Sequence, residues 1–432
     1  MRRREFLRLA GGAAVAWPLA ARATPGPDRN IDGVPLPSDV RVASVPASAP
    51  ALRRWSGVWV GAWNGSLKHI LVVEGIADDG VPSIVFAKAD DPYTRKKANW
   101  RRMDAVLSGR TLTVSERVAL TATLTVPVFT ATYDMDDDGQ LNAVFKSDDR
   151  VARAAMTRMD LATLIRTDAV VPWSRGTSEL LATDLNEDGN PIRLEAVIFK
   201  PSGPGPFPLA VFNHGTVGRH PRAELLRQTW ASLEIAEFLN KRGWLVAFPQ
   251  RRGRGKSDGF CGEELSGRDC DTDAALRNAD RALTDIEAAV AVLRRRPDVA
   301  PDPVLIGGHS HGGVLAIAYA GRHPEQALGV VNFVGGWSSE ACAKSESINQ
   351  ALFLRGARYD RQTIWLYGEG DGFYSLDHSR KNFAAFENGG GRGRFLAFDT
   401  PRKVGHNVIH YPELWTSAVG EYLDTLPRGH PI

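Results

Sequence analysis

The segment Gly308-His309-Ser310-His311-Gly312 places a serine between two histidines and two glycines. It follows the apolar run "PVLIGG" and precedes the helix-forming run "VLAIAYAGRHP". A G-x-S-x-G pattern between a strand and a helix is typical of a sharp turn that exposes a serine hydroxyl for nucleophilic attack. Glycines flank such a turn because a β-carbon would hinder its tightening. We therefore expect Ser310 to be a nucleophile at a helix N-terminus, where backbone amides favour negative charge.

A nucleophilic serine needs a base, and the base needs an orienting carboxylate. In turns of this type the partners follow in the chain order serine, acid, histidine. Asp371 comes directly after the strand-like run "TIWLYGEGD", and His406 comes in the loop after "RFLAFD". We predict that Asp371 and His406 complete a catalytic triad with Ser310. Two carboxylates and one imidazole nearby are rival candidates: Glu369, Asp377 and His410.

Acyl transfer also needs backbone donors for the oxyanion. We expect one from the N–H of His311, which follows the nucleophile, and one from the loop "VFNHGTVG", where Thr216 is the first choice and Val217 the alternative. His214, His309 and the imidazole of His311 are predicted to be packed loop residues. No cysteine, aspartate or glutamate joins these histidines at ligand spacing, so no zinc site is expected.

Two further motifs are interpreted as structural. Asp184–Glu195, "DLNEDGNPIRLE", fits a calcium-loop template, but strand-like runs flank it, which favours a hairpin with an Asp-Gly turn. The run "PQRRGRGKSDG" resembles a phosphate loop, but Gln250 stands where the template needs glycine. Its arginines, Arg251, Arg252 and Arg254, are expected to be exposed or held in structural ion pairs. No metal or other cofactor is expected.

Alternating strand-like and helical runs predict that residues 165–432 form an α/β domain, with a mostly parallel sheet covered by helices on both faces. Short β-branched and aromatic runs separated by Asp-Gly turns predict a small antiparallel β-barrel or β-sandwich over residues 51–160. Trp59 and Trp63 lie on one face of a strand and are expected to fill its core. Residues 24–50 are rich in Pro, Ala and Ser and are interpreted as a linker or extended arm.

Residues 1–23 are typical of an export signal, with a charged start, a moderately apolar stretch and an Ala-Arg-Ala cleavage site. Their Arg3-Arg4-Glu5-Phe6-Leu7 run resembles the twin-arginine motif, which implies periplasmic or secreted localisation in a bacterium. The three cysteines then allow one disulfide. Cys261 with Cys270 is the expected pair and Cys342 the odd thiol, with Cys270–Cys342 left open.

The stretch from about residue 195 to residue 426 resembles the α/β-hydrolase superfamily, in its dienelactone hydrolase and prolyl-oligopeptidase-like branch. The resemblance rests on "NHG", "RRGRGKSDG", "GGHSHGGV", "LYGEGD" and "GHN". Dienelactone hydrolases proper have a cysteine where this chain has Ser310, so the resemblance does not extend to dienelactone as a substrate. Residues 337–362 are expected to form a small cap over the site.

The expected function is that of a serine hydrolase, which cleaves a small carboxylic ester or thioester through an acyl-enzyme intermediate. A serine peptidase or amidase of the prolyl-oligopeptidase-like type is the enzymatic alternative. A non-catalytic envelope-binding protein on a hydrolase scaffold is the alternative of another class. A net charge of +3, from 53 basic and 50 acidic residues, gives no reason to expect a nucleic-acid partner. No membrane span is expected after removal of the signal.

Overall fold

The computed structural model describes most of the chain after the predicted signal. The described residues are 28–43, 50–77, 79–92, 94–119, 125–147, 150–218, 222–263 and 270–427. The export signal predicted at residues 1–23 lies outside them. Within the described residues, no helix combines the length and the apolar character needed to cross a membrane.

A nine-stranded antiparallel sheet forms the N-terminal part of the fold, preceded by a short hairpin and followed by a one-turn helix. The hairpin strands are β1 (Arg29–Ile31) and β2 (Val34–Leu36); the sheet strands are β3 (Gly57–Trp63), β4 (Leu67–Ile76), β5 (Pro82–Lys88), β6 (Asn99–Asp104), β7 (Val106–Ser108), β8 (Thr111–Ala119), β9 (Thr125–Met135), β10 (Leu141–Ser147) and β11 (Val151–Met159); the helix is α1 (Leu161–Leu164). The strand order is β6-β5-β4-β3-β11-β10-β9-β8-β7. Only Ala105 separates the edge strands β6 and β7, so the sheet curls back on itself.

The predicted core role of Trp59 and Trp63 is confirmed, because both side chains are buried in the cluster that fills one face of this sheet. The other face packs against the hairpin β1–β2, where Val34 and Leu36 are fully buried. Residues 28–43 of the expected linker are therefore partly folded onto the β domain. The linker prediction missed this hairpin because two three-residue strands are too short to show a periodic pattern.

An eight-stranded sheet and the helices that connect its strands form the C-terminal domain. The strands are β12 (Thr177–Glu187), β13 (Asn190–Phe199), β14 (Leu209–Asn213), β15 (Leu245–Pro249), β16 (Val304–His309), β17 (Ala327–Phe333), β18 (Gln362–Gly368) and β19 (Arg392–Phe398). The helices are α2 (Ala223–Leu226), α3 (Leu233–Asn240), α4 (Thr272–Leu293), α5 (His311–Arg322), α6 (Ser345–Arg355), α7 (Leu376–Asn388) and α8 (Pro412–Asp424). Short 3-10 turns occur at Pro50–Trp55, Gly356–Arg358, Pro401–Lys403 and Gly405–His410.

The strand order is β12-β13-β15-β14-β16-β17-β18-β19, and the six strands from β14 to β19 run parallel. From β14 the chain adds β15 on the side of the sheet that holds β13, whereas from β16 it adds β17 on the opposite side. Right-handed crossovers therefore place α3 and α5 on opposite faces of the sheet. The predicted architecture, a mostly parallel sheet between helices, is thus present. The reversal lies at β14 and β16, where open parallel sheets place their ligand sites.

The calcium-like segment Asp184–Glu195 belongs to the antiparallel hairpin β12–β13, as predicted. Its turn residues Asp188 and Gly189 have φ of 51° and 83°. These angles belong to an Asp-Gly hairpin turn. Among the described residues, no cluster of three or more metal-ligating side chains is present.

The expected disulfide pairing is wrong. Cys270 is bonded to Cys342, with Cα atoms 5.6 Å apart, and the buried Cys261 is not part of this disulfide. Cys261 instead packs against the turn at Gly253, where an added β-carbon would lie 2.3 Å from the Cys261 nitrogen. Separation along the sequence gave no information on which thiols approach in the fold.

The two domains touch near the switch point. Arg222 donates a hydrogen bond to the carbonyl of Pro92, in a loop of the β domain. Gly65, in the β3–β4 turn, lies against Ala231, and Arg153 of β11 lies 3.7 Å from the carboxylate of Glu234 in α3. The β domain is therefore docked beside the segment that follows β14.

Candidate active site

Ser310 lies in a strained turn between β16 and α5. Its backbone φ is 57° and ψ is −120°, in a region that non-glycine residues rarely adopt. An added β-carbon at Gly308 would lie 2.3 Å from the carbonyl carbon of Gly312, and one at Gly312 would lie 2.0 Å from the carbonyl oxygen of Asn213. The glycines of the motif are thus required by backbone atoms of α5 and of β14, which cannot move aside.

Asp371 and His406 are brought together after β18 and β19. His406 Nδ1 lies 2.9 Å from Asp371 Oδ2. The other carboxylate oxygen accepts hydrogen bonds from the backbone N–H groups of Phe373 at 2.8 Å and Tyr374 at 3.1 Å. The Asp371 side chain is fully buried and cannot rotate without losing these bonds. The pair therefore holds a proton on His406 Nδ1 and leaves Nε2 as an acceptor.

The rival groups lie elsewhere. Glu369 is paired with Lys403, and His410 Nδ1 lies 2.9 Å from Glu234 at the domain boundary. Asp377 lies in the first turn of α7. The structure thus joins the two residues preferred from the sequence, whereas Glu369 and His410 have other partners.

His406 lies beside the serine turn. Its carbonyl accepts a hydrogen bond from His309 Nε2 at 2.8 Å, and the centres of these two imidazole rings are 4.9 Å apart. Among the hydrogen bonds of the described residues, none joins the Ser310 hydroxyl directly to His406. Contacts between a nucleophile and its base are often long when no substrate is bound.

The two predicted oxyanion donors lie on either side of Ser310. His311 is the first residue of α5, where its N–H has no acceptor within the helix. The loop after β14 packs directly on the serine, because an added β-carbon at Gly215 would lie 2.9 Å from the Ser310 Cβ. Thr216 follows Gly215 in this loop, and its hydroxyl accepts a hydrogen bond from the N–H of Gly218 at 3.1 Å.

Tyr374 was missed by sequence reasoning. Its buried ring packs against Gly336, whose N–H donates to the carbonyl of Ser310 at 3.2 Å. Burial raises the pKa of the Tyr374 hydroxyl well above its usual value, and hydrogen bonding with the Ser310 side chain lowers it by less. Tyr374 therefore stays protonated next to the serine. Its position three residues after Asp371 was the only available signal.

A buried ion pair, Arg251 with Glu263, lies behind the site, and sequence reasoning did not connect it with the site. Arg251 donates to Glu263, with Nη2 2.8 Å from Oε2. Burial acts to raise the pKa of Glu263, but the charge of Arg251 holds it well below its usual value. Burial and the same guanidinium lower the pKa of His214 well below its usual value, so His214 is neutral. Of the two fates expected for the loop arginines, exposure or a structural ion pair, Arg251 and Arg252 have the second. Arg254 is buried as well, and its Nη1 donates to the carbonyl of Gly215 at 3.2 Å.

Part of this region matches a known family. Residues 227–340, about a quarter of the chain, match the family described as serine aminopeptidase, S33. The matched segment contains Ser310 and ends before Asp371 and His406. The match and the strand order of the eight-stranded sheet together identify the fold of the C-terminal domain. Residues 177–426 form an α/β-hydrolase fold.

Solved structures with some likeness to the chain include three hydrolases. Est1E from Butyrivibrio proteoclasticus with bound ferulic acid is 17% identical with a TM-score of 0.40, and the likeness covers 57% of this chain and 98% of that one. The Pyrococcus furiosus esterase Pf2001 is 16% identical with a TM-score of 0.42, covering 58% of this chain and 91% of that one. The thioesterase domain from the curacin biosynthetic pathway is 15% identical with a TM-score of 0.37, covering 58% of this chain and 99% of that one. No curated protein matches the chain.

Proposed function

We propose that the protein is a serine hydrolase that cleaves a carboxylic ester or thioester, with Ser310 as nucleophile, His406 as base and Asp371 as the orienting carboxylate. One observation carries the proposal: a serine in a strained turn lies beside a histidine whose Nδ1 is 2.9 Å from a buried carboxylate. His410 is also paired with a carboxylate, but it lies at the domain boundary, whereas His406 lies beside the G-x-S-x-G turn.

The reaction proceeds in two balanced steps. Ser310 Oγ attacks the substrate carbonyl carbon while His406 Nε2 takes the hydroxyl proton, and the imidazolium is stabilised by Asp371. The backbone N–H groups of His311 and Thr216 stabilise the oxyanion. Collapse of the intermediate breaks the bond to the alcohol or thiol, which takes the proton from Nε2. Water then attacks the acyl-enzyme, gives its proton to Nε2, and Ser310 recovers that proton as the acid leaves.

An ester or thioester is favoured over an amide because its leaving group depends less on full protonation. The match of residues 227–340 to the serine aminopeptidase family supports the second candidate, a peptidase or amidase with the same residues. Likeness to the dienelactone hydrolase and prolyl-oligopeptidase-like branch, and export to the periplasm, are further parts of the proposal that rest on the sequence motifs.

The test is covalent labelling by a fluorophosphonate probe, followed by turnover of a simple ester, a thioester and an aminoacyl anilide. The wild-type protein should be labelled, and Ser310→Ala should not be labelled although its circular dichroism and melting temperature match the wild type. Preference among the three substrates separates esterase from peptidase. A folded wild-type protein that is neither labelled nor active on any substrate would favour the non-catalytic binding role instead.

A further inference from the structure

The ion pair between Arg251 and Glu263 is almost completely buried, with the two side chains 1% and 5% exposed. Desolvation of two charges often costs more than their attraction returns, so such a pair rarely serves stability alone. Its neighbours indicate another role, because each partner contacts a segment that bears a proposed oxyanion donor.

Arg251 holds the loop after β14. Its guanidinium Nη2 donates to the carbonyl of His214 at 2.9 Å, and its backbone N–H donates to His214 Nε2 at 3.1 Å. The proton of neutral His214 therefore lies on Nδ1, which donates to the carbonyl of Gly215 at 2.8 Å. Main chain and ring of His214 are thus fixed just before the Gly215-Thr216 peptide, whose N–H is the proposed second donor.

Glu263 lies on the other side, next to the residue that follows the nucleophile. Its Oε2 is 3.7 Å from Nδ1 of His311, too long for a hydrogen bond but within electrostatic reach. The His311 ring is also stacked on Trp337, with ring centres 4.1 Å apart and planes 19° apart. Trp337 and Glu263 therefore hold His311 from two directions, at the start of α5.

We propose that Arg251 and Glu263 form a positioning pair for the oxyanion hole, which keeps the N–H groups of Thr216 and His311 aimed at one point. The inference rests on the proposed function. Electrostatic stabilisation of an oxyanion depends on donors that are already oriented before charge develops. Loss of the pair should therefore slow the chemical step more than it weakens substrate binding.

The chain contains a matched control one residue away. Arg252 and Asp285 form a second buried ion pair, with a backbone hydrogen bond from Arg252 to Asp285 at 2.9 Å. Arg252 also donates to the carbonyl of Arg281, so this pair ties the loop to α4. Neither residue has a hydrogen bond or ion pair with His214 or His311 among those of the described residues. Both pairs are of the same chemical type, but only one spans the proposed oxyanion donors.

The experiment compares Glu263→Gln and Arg251→Lys with Asp285→Asn and Arg252→Lys. Melting temperature, kcat and KM for a p-nitrophenyl ester are measured, together with hydrogen–deuterium exchange of peptides covering residues 209–218 and 310–316. Glu263→Gln, the gentlest change, should lower kcat by about 10- to 100-fold with KM within about threefold, since removal of a whole donor costs about 100- to 1,000-fold. It should also raise exchange in both peptides.

The control variants should lower the melting temperature by a similar amount, with kcat within about twofold and exchange in both peptides unchanged. The inference is overturned if the two pairs reduce kcat equally at equal loss of stability, or if Glu263→Gln leaves exchange in both peptides unchanged. Exchange requires no turnover, so it decides the positioning role even if the wild-type protein is inactive. Inactivity of the wild type would count against the proposed function alone.

Discussion

Replacement of Asp371 by asparagine gives a direct test of the proposed acid. Asp371 Oδ1 accepts two backbone hydrogen bonds, from Phe373 and Tyr374, while Oδ2 faces His406. In Asp371→Asn the amide oxygen keeps the two backbone bonds, and its NH2 group then faces His406 Nδ1. Turning the amide around would leave two backbone N–H groups unpaired, at a cost of about 2–6 kcal/mol.

The histidine must therefore change tautomer. His406 Nδ1 becomes the acceptor and Nε2 carries the proton, so Nε2 can no longer accept the hydroxyl proton of Ser310. We expect kcat for a p-nitrophenyl ester to fall by about 10,000-fold, which corresponds to about 5.5 kcal/mol in the activation barrier. The melting temperature should change little, because the substitution is nearly isosteric and the backbone bonds are kept.

The assay includes Glu369→Gln and Asp377→Asn, which change the rival carboxylates. Glu369 is paired with Lys403 and Asp377 lies in the first turn of α7, so both variants should keep kcat within about threefold of the wild type. Retention of more than about a tenth of wild-type kcat by Asp371→Asn would refute the role of Asp371. A large loss in Glu369→Gln alone would transfer the role to that residue.

Three further predictions concern the glycines, the disulfide and acid stability. Gly312→Ala should abolish probe labelling and lower the melting temperature, whereas Gly372→Ala, whose added β-carbon meets nothing within 4 Å, should preserve both. Serine at both positions of the Cys270–Cys342 disulfide, which are 72 residues apart, should lower the free energy of unfolding in urea by about 2–4 kcal/mol. Alkylation of the denatured, unreduced protein should modify Cys261 only, and modification of all three cysteines would contradict the bond. Burial lowers the pKa of His69 to about 3, so below about pH 6.5 the unfolded chain binds a proton at this residue more readily than the folded protein does. Acidification from about pH 7 to about pH 5 should therefore lower the free energy of unfolding by about 2 kcal/mol. The variant His69→Gln should not show this loss.

Local pattern carried much of the information on the candidate site. The G-x-S-x-G turn must be flanked by a strand and a helix, and the clash that requires glycine at Gly308 is with Gly312, within the same motif. The chain order of acid and base, each in a loop after a strand, led to the prediction of Asp371 and His406, and the fold brings His406 Nδ1 within 2.9 Å of Asp371 Oδ2. Turn chemistry also sufficed for the β12–β13 hairpin, where an Asp-Gly turn outweighed the calcium-loop template.

Other features had no local signal. The segment between α2 and α3 is not helical, because Gln250, just after β15, accepts from the N–H of Trp230 and donates to its carbonyl. The hairpin β1–β2 is held by burial of two side chains against a distant sheet rather than by its own propensity.

The sequence by itself determined the fold class, the serine turn and the order of its expected partners, because periodicity, glycine sterics and chain order act along the chain. Only the tertiary structure decided which groups approach across it. The bond between Cys270 and Cys342, the hydroxyl of Tyr374 beside Ser310, and the contact of one buried ion pair with two loops all join segments that are far apart in sequence. Their energies depend on distance and burial, which only the packed fold specifies.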